Sequence, residues 1–286
     1  MANYLVPIAL CLIVDISNIF ANSFLIHALI KLKKIKTISY SFILCLCSND
    51  VLVGIVGVAS HAVELVYRSN DEGHLETYFV NLDMLLHLFA TISAYLILVI
   101  ALDRFIRMRY MVKYGALMTK KRATALVIIS TIPSLFDYIL DMINTSGGIF
   151  RYLYIAVYCG HGLSVLMGCI LYVLAHWSLK KRIEDINLNT DVGRLEHRVA
   201  TNLRRPNAEF SRAALLILVA ITVCYMPRLA TFLYRTVMGI SYQLYEDAWA
   251  RFFILVNSTL NALIFICCNR DLRNYAKQFF KCIQDV

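Results

Sequence analysis

Residues 92–105 read ISAYLILVIALDRF, an apolar run that ends abruptly in an acid, an arginine and an aromatic ring. A helix that is apolar on all sides is rare in a water-soluble protein, so lipid is its expected surroundings. Asp103 and Arg104 stand where the run ends, at the expected membrane surface, and are placed to pair there. Ser93 precedes Arg104 by eleven residues, about three helical turns, so the two share one face. The stretch predicts a membrane-spanning helix with a polar stripe from mid-membrane to its boundary.

The composition of the whole chain indicates an integral membrane protein. Of its 286 residues, 59% are hydrophobic and 16% are charged, whereas soluble domains carry about 25% charged residues. The net charge of +9 does not indicate a nucleic-acid partner, because the basic residues form short clusters between apolar runs. Eight of the nine cysteines lie in apolar runs and the last lies in the tail. No predicted extracellular loop holds a cysteine, so we expect no stabilising disulfide.

Seven apolar runs predict an all-α, seven-transmembrane helix bundle. The connectors at 31–37, 110–121 and 180–208 and the tail from Asn269 are basic, and with the span ends they hold 23 of the 28 lysines and arginines. Positive charge concentrates on the cytoplasmic side of membrane proteins. We therefore expect a multi-pass protein with its amino terminus outside and its carboxyl terminus in the cytoplasm. The runs cover roughly 4–30, 38–67, 78–109, 122–143, 150–179, 209–237 and 247–268.

The chain divides into a transmembrane domain, residues 1–268, and a cytoplasmic tail, residues 269–286. The tail is amphipathic, with basic residues on one side and Leu272, Phe279 and Phe280 on the other. It predicts a short eighth helix on the inner leaflet. Cys282 is its candidate palmitoylation site, because an acyl chain and several basic side chains together anchor a segment stably. A free cytosolic thiol is the alternative.

Asp50 lies mid-way along the second apolar run, where a carboxylate needs partners and usually a task. Polar residues are expected at matching depths in other runs, and Asn257 and Asn261 are four apart, so they share a face. This pattern predicts a hydrated cation or proton site at the centre of the bundle. A purely structural hydrogen-bond cluster is the alternative. The residues at matching depths are Asn22, Ser93, Asn257, Ser258 and Asn261.

Further motifs lie in the sixth and seventh runs. Residues 224–227, CYMP, place Pro227 inside a helix, where proline removes a hydrogen bond and makes a hinge or a static kink. Cys224 and Tyr225 stand beside it. In the seventh run, residues 257–265 read NSTLNALIF and residues 269–273 read NRDLR.

Taken in order, these motifs resemble those of rhodopsin-like G protein-coupled receptors, and the resemblance covers nearly the whole chain. Asn22 and Asp50 match the family's first-span asparagine and second-span aspartate. The Asp103-Arg104-Phe105 sequence resembles Asp-Arg-Tyr, residues 224–227 resemble Cys-Trp-x-Pro, and residues 261–265 resemble Asn-Pro-x-x-Tyr. The resemblance implies a sodium pocket and a switch for G protein coupling. The implied sodium ligands are Asp50, Ser93, Asn257, Ser258 and Asn261, and the implied switch residues are Asp103, Arg104, Phe105, Asn261 and Phe265.

The chain also departs from the family pattern. Tyr225 replaces the usual tryptophan, Ala262 the proline and Phe265 the tyrosine, which predicts a softened activation switch. Phe79 stands where the third span usually has its disulfide cysteine, and the fifth span lacks its proline. The missing disulfide, the short second outer loop and residues 109–122 are similar to the melanocortin-receptor branch.

The expected function is therefore that of a plasma-membrane receptor that converts binding of an extracellular ligand into activation of a heterotrimeric G protein. We expect no enzymatic activity and no required cofactor, apart from sodium at Asp50. A non-signalling decoy receptor remains open because the switch residues are altered. An opsin would need a lysine in 247–268, which has none. A transporter usually shows two related halves, and none are visible here.

The ligand site is expected among charged residues in the outer halves of the spans. Such charges should face a watery cavity, because lipid exposure would be costly. One interpretation is that Arg228 and Arg251 bind a carboxylate or phosphate of the ligand. The other is that Asp83 and Glu64 neutralise the arginines and merely fasten the helices. Leu86 occupies the position of the aminergic aspartate, so we expect a peptide or small polar acid rather than an amine. The candidate ligand-binding residues are His61, Glu64, Asp83, His87, Arg228 and Arg251.

Overall fold

The computed structural model describes residues 2–70, 73–110, 113–143, 148–188, 212–213, 215–231, 234 and 244–284. The described chain is helical, with short 3₁₀ turns at Lys34–Lys36 and Gly73–Leu75. The predicted all-α class and helical transmembrane bundle are confirmed. The helices are α1 (Ala2–Lys31), α2 (Ile38–Asn70), α3 (Glu76–Arg109), α4 (Tyr114–Leu117), α5 (Lys120–Ile143), α6 (Gly148–Leu188), α7 (Leu215–Thr231), α8 (Leu244–Cys268) and α9 (Arg270–Gln284).

Six of these helices are long and apolar enough to cross a membrane, namely α1, α2, α3, α5, α6 and α8. Over its described residues, α7 is apolar but shorter. Large apolar side chains such as Phe20, Ile128 and Val173 are exposed on the outside of the bundle, although water would disfavour that arrangement. Lipid accounts for the exposed apolar surface, and the chain is a multi-pass membrane protein.

The third helix lies at the centre of the bundle. It packs against α2, α5, α6 and α8, while α1 packs against α2 and α8. The main apolar core, which includes Leu46, Ile100, Ile221 and Phe265, joins these helices. We call the end of the bundle that holds Arg104 and the 3₁₀ turn at Lys34–Lys36 the basic end. Arg104, near the last residue of α3, lies at the basic end. The first residues of α3 lie at the opposite end of the bundle.

One helix boundary differs from the expectation. The fifth run was predicted to end near 179, but α6 continues to Leu188. Residues 180–188 read KKRIEDINL. They are too charged to count as part of an apolar run, but such residues readily form a helix in water. The basic connector therefore starts as a helical extension. The rest of the expected connector, 189–208, lies outside the described residues.

The tail helix α9 follows α8 after one residue and packs against the basic end of α1. The ring of Phe24 lies 5.2 Å from that of Phe279 and 5.8 Å from that of Phe280, centroid to centroid. On the polar side, Lys34 Nζ donates to Asp271 Oδ2 at 2.7 Å. Cys282 is exposed at the end of this helix. The predicted amphipathic eighth helix is thus present and attached to the bundle on both its sides.

Glycines on α2 allow α1 to approach closely. A Cβ atom on Gly57 would lie 2.4–2.7 Å from all three atoms of the Asp15 carboxyl group. A Cβ on Gly54 would lie 2.6 Å from Ile19 and 3.0 Å from the Asp15 carbonyl oxygen. The absence of side chains here makes room for Asp15, which is fully buried and contacts His61 Nδ1 through Oδ2 at 2.8 Å.

We therefore expect Gly57→Ala to destabilise the protein by about 1–3 kcal/mol, the usual cost of overpacking a filled core. The Asp15 carboxyl group would have to move and would lose its contact with His61. Thermal unfolding of the detergent-solubilised protein measures the effect. Gly160→Ala on α6 is the matched control, because nothing lies within 4 Å of the added Cβ there. Equal melting temperatures for the two variants would contradict this account of the α1–α2 interface.

Candidate functional site

A buried ionic cluster occupies the basic end of α3. Arg104 donates to Asp103 through Nε at 3.1 Å and also through Nη2. Ser39 of α2 donates to Asp103 Oδ2 at 2.9 Å, and the Tyr114 hydroxyl of α4 donates to Asp103 Oδ1. Arg107 donates to Ser39 Oγ at 2.9 Å and lies over the Tyr114 ring. We call these five residues the Arg104 cluster. It ties α2, α3 and α4 to one carboxylate.

Tyr114 is held as a hydrogen-bond donor in this cluster. Burial and the neighbouring Asp103 carboxylate disfavour the phenolate and raise the pKa of Tyr114 to about 12. Tyr114 therefore stays protonated at every pH at which the protein would be handled. The sequence pattern identified Asp103 and Arg104 but not Ser39 or Tyr114, because spacing along α3 says nothing about which loop folds back onto it.

Asp50 lies at the centre of a second polar cluster, which is fully buried. Its carboxylate accepts hydrogen bonds from Ser93 Oγ and from Asn261 Nδ2, the latter at 3.2 Å. Asn49 donates to Ser93 Oγ at 2.7 Å, and Asn18 donates to the Asp50 backbone oxygen at 2.7 Å. The structure thus brings together the predicted Asp50, Ser93 and Asn261 and adds Asn18 and Asn49, two asparagines that the sequence reasoning missed.

The same region contains buried side-chain oxygens that accept no hydrogen bond from any residue that the structure describes. They belong to Asn22, Asn257 and Asn261, each about 1% exposed or less. Asn22 donates to Asn18 Oδ1 at 2.6 Å through its amide nitrogen. Ser258 is buried beside them. Buried acceptors without donors are costly, and a carboxylate with several amide and hydroxyl oxygens is a donor set that suits a hard monovalent cation.

The predicted hinge is connected to α3 by one hydrogen bond. Pro227 lies inside α7, and Cys224 is buried one turn before it. The Tyr225 hydroxyl donates to the Ala90 carbonyl oxygen of α3 at 3.0 Å. A tryptophan at this position could not place a hydroxyl there. The tyrosine therefore supplies a link between the two helices that is specific to this sequence.

A small cavity of about 20 Å³, partly open to the surface, lies toward the opposite end of the bundle, between α3, α7 and α8. Four of the six predicted ligand-binding residues line it: Asp83, His87, Arg228 and Arg251. Ala90, which accepts the Tyr225 hydrogen bond, forms part of its wall, so the cavity and the hinge share a residue. The other lining residues are Leu86, Ile254 and Leu255.

Arg251 is engaged by two carboxylates. Its Nη1 donates to Asp83 Oδ1 at 2.9 Å and its Nη2 donates to Glu64 Oε1 at 3.0 Å. Arg68 also donates to Glu64 at 2.9 Å. We call Glu64, Arg68, Asp83 and Arg251 the Arg251 cluster. It joins α2, α3 and α8, which is the arrangement that the fastening interpretation describes.

Two of the predicted ligand-binding residues are not part of the cavity wall. Glu64 lies behind Arg251, with 1% of its side chain exposed. His61 is buried between α1 and α2 and contacts Asp15. Spacing places these residues on one face of α2 but cannot tell whether that face meets the cavity or another helix.

A further acid cluster, absent from the sequence predictions apart from His87, joins three helices. Asp137 of α5 is buried, and its Oδ2 lies 3.4 Å from His161 Nε2 of α6 and 3.6 Å from His87 Nδ1 of α3. We call these three residues the Asp137 cluster. An acid inside an apolar run was the available signal, and Asp137 in TIPSLFDYIL carried it.

Comparison with known proteins adds an independent line of evidence. A family model described as 7 transmembrane receptor (rhodopsin family) matches residues 21–146. The histamine H2 receptor of Rattus norvegicus is 23% identical over 278 residues, which cover 87% of this chain and 72% of that receptor. Both agree with the resemblance to rhodopsin-like receptors found in the sequence. Neither singles out the melanocortin-receptor branch.

Proposed function

Because this chain belongs to the rhodopsin family of seven-transmembrane receptors, we propose that it converts binding of an extracellular ligand into activation of a heterotrimeric G protein at the plasma membrane. It is a receptor and not an enzyme. The observation that carries the proposal is the Arg104 cluster, in which a buried arginine is held by its neighbouring aspartate at the basic end. A charge-assisted pair of this kind can be exchanged for a partner protein when the helices move.

The orientation in this proposal has the basic end in the cytoplasm and the cavity facing outside. The positive residues around 31–37 and 104–122 support it, because such residues concentrate on the cytoplasmic side. The two ends are then coupled through α7, which contacts the cavity wall through Tyr225 and contains Pro227. Driving such an equilibrium from 1:99 to 99:1 would need about 5.5 kcal/mol of differential ligand binding.

For the ligand we propose a peptide or a small polar molecule with an acidic group, bound in the cavity that Asp83, His87, Arg228 and Arg251 line. Arg228 at the wall favours a carboxylate or phosphate, whereas Arg251 already donates to Asp83 and Glu64. The rat relative is named as a histamine receptor. The apolar Leu86 lines the cavity here, at the position where an aminergic receptor would carry its aspartate, and this disfavours an amine.

At the Asp50 cluster we propose a sodium site. The residues fit, because the described chain holds the buried Asp50 carboxylate together with buried amide oxygens of Asn257 and Asn261 that have no donor. Asp50, Ser93, Asn257, Ser258 and Asn261 would hold the ion. When bound, sodium would supply a positive charge to a carboxylate that otherwise has only neutral hydrogen-bond donors in the described chain.

Tyr225→Phe is expected to raise ligand-independent activity. It removes one neutral hydrogen bond between α7 and α3 while keeping the ring. A bond of this kind contributes about 1 kcal/mol, so the inactive-to-active ratio should shift roughly fivefold. Basal G protein nucleotide exchange measures the shift, with Tyr78→Phe at an exposed site of α3 as control. A basal rate equal to that of the control would show that the Ala90 hydrogen bond does not restrain α7.

At the tail we propose that Cys282 is palmitoylated and that α9 lies on the inner leaflet. The exposed thiol follows exposed Phe280 and basic Lys281 on a helix packed against α1. One acyl chain combined with basic side chains gives stable anchoring. Acyl-exchange labelling should give a signal that disappears in Cys282→Ser. A signal that is absent from the wild type as well would leave Cys282 as a free cytosolic thiol.

A second-messenger assay with and without co-expressed G proteins tests the proposed function. The receptor, challenged with extracts and with acidic peptides and metabolites, should change messenger levels in a G protein-dependent manner. A receptor that reaches the surface and binds ligand, yet changes no messenger with any G protein class, would be a decoy. The softened switch residues Tyr225, Ala262 and Phe265 make that outcome the principal alternative.

A further inference from the structure

We propose that the Asp137 cluster is a binding site for an extracellular proton. The Asp137 carboxylate lies within 3.6 Å of two imidazoles supplied by different helices, α3 and α6, which both pack against α5. Histidine normally changes charge between about pH 5 and 8. A proton taken up by either ring would therefore be held by a buried counter-charge that joins three helices.

The Asp137 carboxylate is more deeply buried than the two imidazole rings that would accept the proton. The Asp137 side chain is 3% exposed, whereas those of His87 and His161 are 17% and 13% exposed. Asp137 thus sits away from water, where a carboxylate requires donors or a positive charge. His87 also lines the ligand cavity. A proton can reach the His87 ring from the cavity without any opening of the bundle.

The distances show why a proton would strengthen the cluster. The His161 contact, at 3.4 Å, is long for a hydrogen bond, and the His87 contact, at 3.6 Å, is only an ion-pair distance. Charge-assisted contacts of nitrogen with carboxylate oxygen are shorter and stronger, at about 2.7–2.9 Å. Protonation would therefore draw α3 and α6 toward Asp137 and stabilise the packing of these helices.

A contrasting case occurs on the other side of the bundle, where His61 and Asp15 form a contact at 2.8 Å with both side chains about 1% exposed or less. That pair is closed to water and already at hydrogen-bond distance. The Asp137 cluster has the longer contacts and the more accessible rings, so it is the one suited to exchange protons with the outside.

Other charges face the Asp137 cluster and would respond to its protonation. A proton on His87 would add positive charge to a cavity already lined by two arginines. Anionic ligands would then bind more tightly at acidic pH and cationic ligands more weakly. This consequence rests on the proposed ligand site, whereas proton binding itself does not. The groups that face the cluster are Asp83 and Tyr95 on α3, Arg228 on α7 and Arg251 on α8, with Glu64 of α2 behind Arg251.

Histidine C2 hydrogen–deuterium exchange, followed by mass spectrometry, tests the proton site on the full chain in nanodiscs. The exchange rate reports the protonation of each ring separately, and the measurement needs neither ligand nor G protein. A failure here would thus not affect the proposed receptor function. Between pH 5 and 8, His87 or His161 should pass from charged to neutral. His176 on α6, which is exposed and outside the cluster, is the control ring.

Asp137→Asn isolates the role of the carboxylate. An opposite charge beside an imidazole favours its charged form, so Asp137→Asn should move the exchange of the ring that takes the proton toward that of a neutral ring at pH 6. His176 should be unaffected. If the variant does not fold, the wild-type exchange curves of His87 and His161, measured against that of His176, decide. The proposal is overturned if both rings keep one charge state from pH 5 to 8, or if Asp137→Asn leaves their exchange unchanged.

Discussion

Arg251→Met is expected to remove most of the receptor from the cell surface. Arg251 is 9% exposed and is bound by Asp83 and Glu64. Methionine keeps much of the side-chain length but leaves both carboxylates without this partner. Removing one side of a buried pair costs about 3–5 kcal/mol, a large share of the 5–15 kcal/mol that stabilises a typical protein. Surface labelling and thermal unfolding measure the loss.

Two further variants show whether charge is the cause. Glu64→Gln with Asp83→Asn, added to Arg251→Met, removes every charge of that contact and should restore much of the stability. Arg68→Met should cost less than Arg251→Met, because Arg68 is more exposed and touches only Glu64 in the Arg251 cluster. If the triple variant is no more stable than Arg251→Met alone, the loss comes from packing and not from unpaired carboxylates.

Arg104→Ala is expected to abolish G protein activation while leaving surface expression near normal. The reason for normal folding lies in the cluster itself. Asp103 keeps two donors, Ser39 and Tyr114, after the arginine is removed, so no buried carboxylate is left without hydrogen bonds. The lost guanidinium is the group proposed to meet the G protein.

Nucleotide exchange on a reconstituted G protein measures this loss, and Arg109→Ala is the control. Arg109 is an exposed arginine at the end of the same helix and should keep most of the activity. Unchanged exchange in Arg104→Ala, at a matched amount of receptor, would remove the receptor interpretation of this motif.

Much of the fold followed from the sequence because a membrane imposes a simple pattern. A span must satisfy its backbone internally and be apolar for about 20 residues, so the seven runs could be located. The end of α6 was missed because residues 180–188 are charged. Outside the bilayer a helix no longer needs apolar side chains, so its end cannot be located from hydropathy.

Only some of the contacts between polar residues could be predicted from the sequence, and there is one physical reason for this. Sequence spacing defines which residues share a face of one helix, as for Asn257 and Asn261. It does not define which face of a neighbouring helix lies opposite. The sequence could name residues that line the cavity, namely Asp83, His87, Arg228 and Arg251. It could not predict the contacts of His61 with Asp15 and of His87 with Asp137, because these depend on how the helices pack.

The residue-specific departures illustrate the same limit. Three departures from the family pattern, Tyr225 among them, predict a softened activation switch. The structure shows the Tyr225 hydroxyl in a hydrogen bond with Ala90, 135 positions away in the chain. When a motif residue is replaced, the sequence shows which side chain of the family pattern is missing. What the new side chain contributes depends on the atoms across the interface.

Nucleotide exchange driven by Asp103→Asn tests the central claim most directly, because it needs no ligand. Asparagine keeps the size of the side chain and removes the charge that holds Arg104. Purified wild type, Asp103→Asn and Arg104→Ala, each in nanodiscs, would be presented with one member of every G protein class. The account predicts that Asp103→Asn exceeds wild type for at least one class, and that Arg104→Ala stays at the level of empty nanodiscs. If Asp103→Asn and wild type both equal empty nanodiscs for every class, the chain is not a G protein-coupled receptor in function.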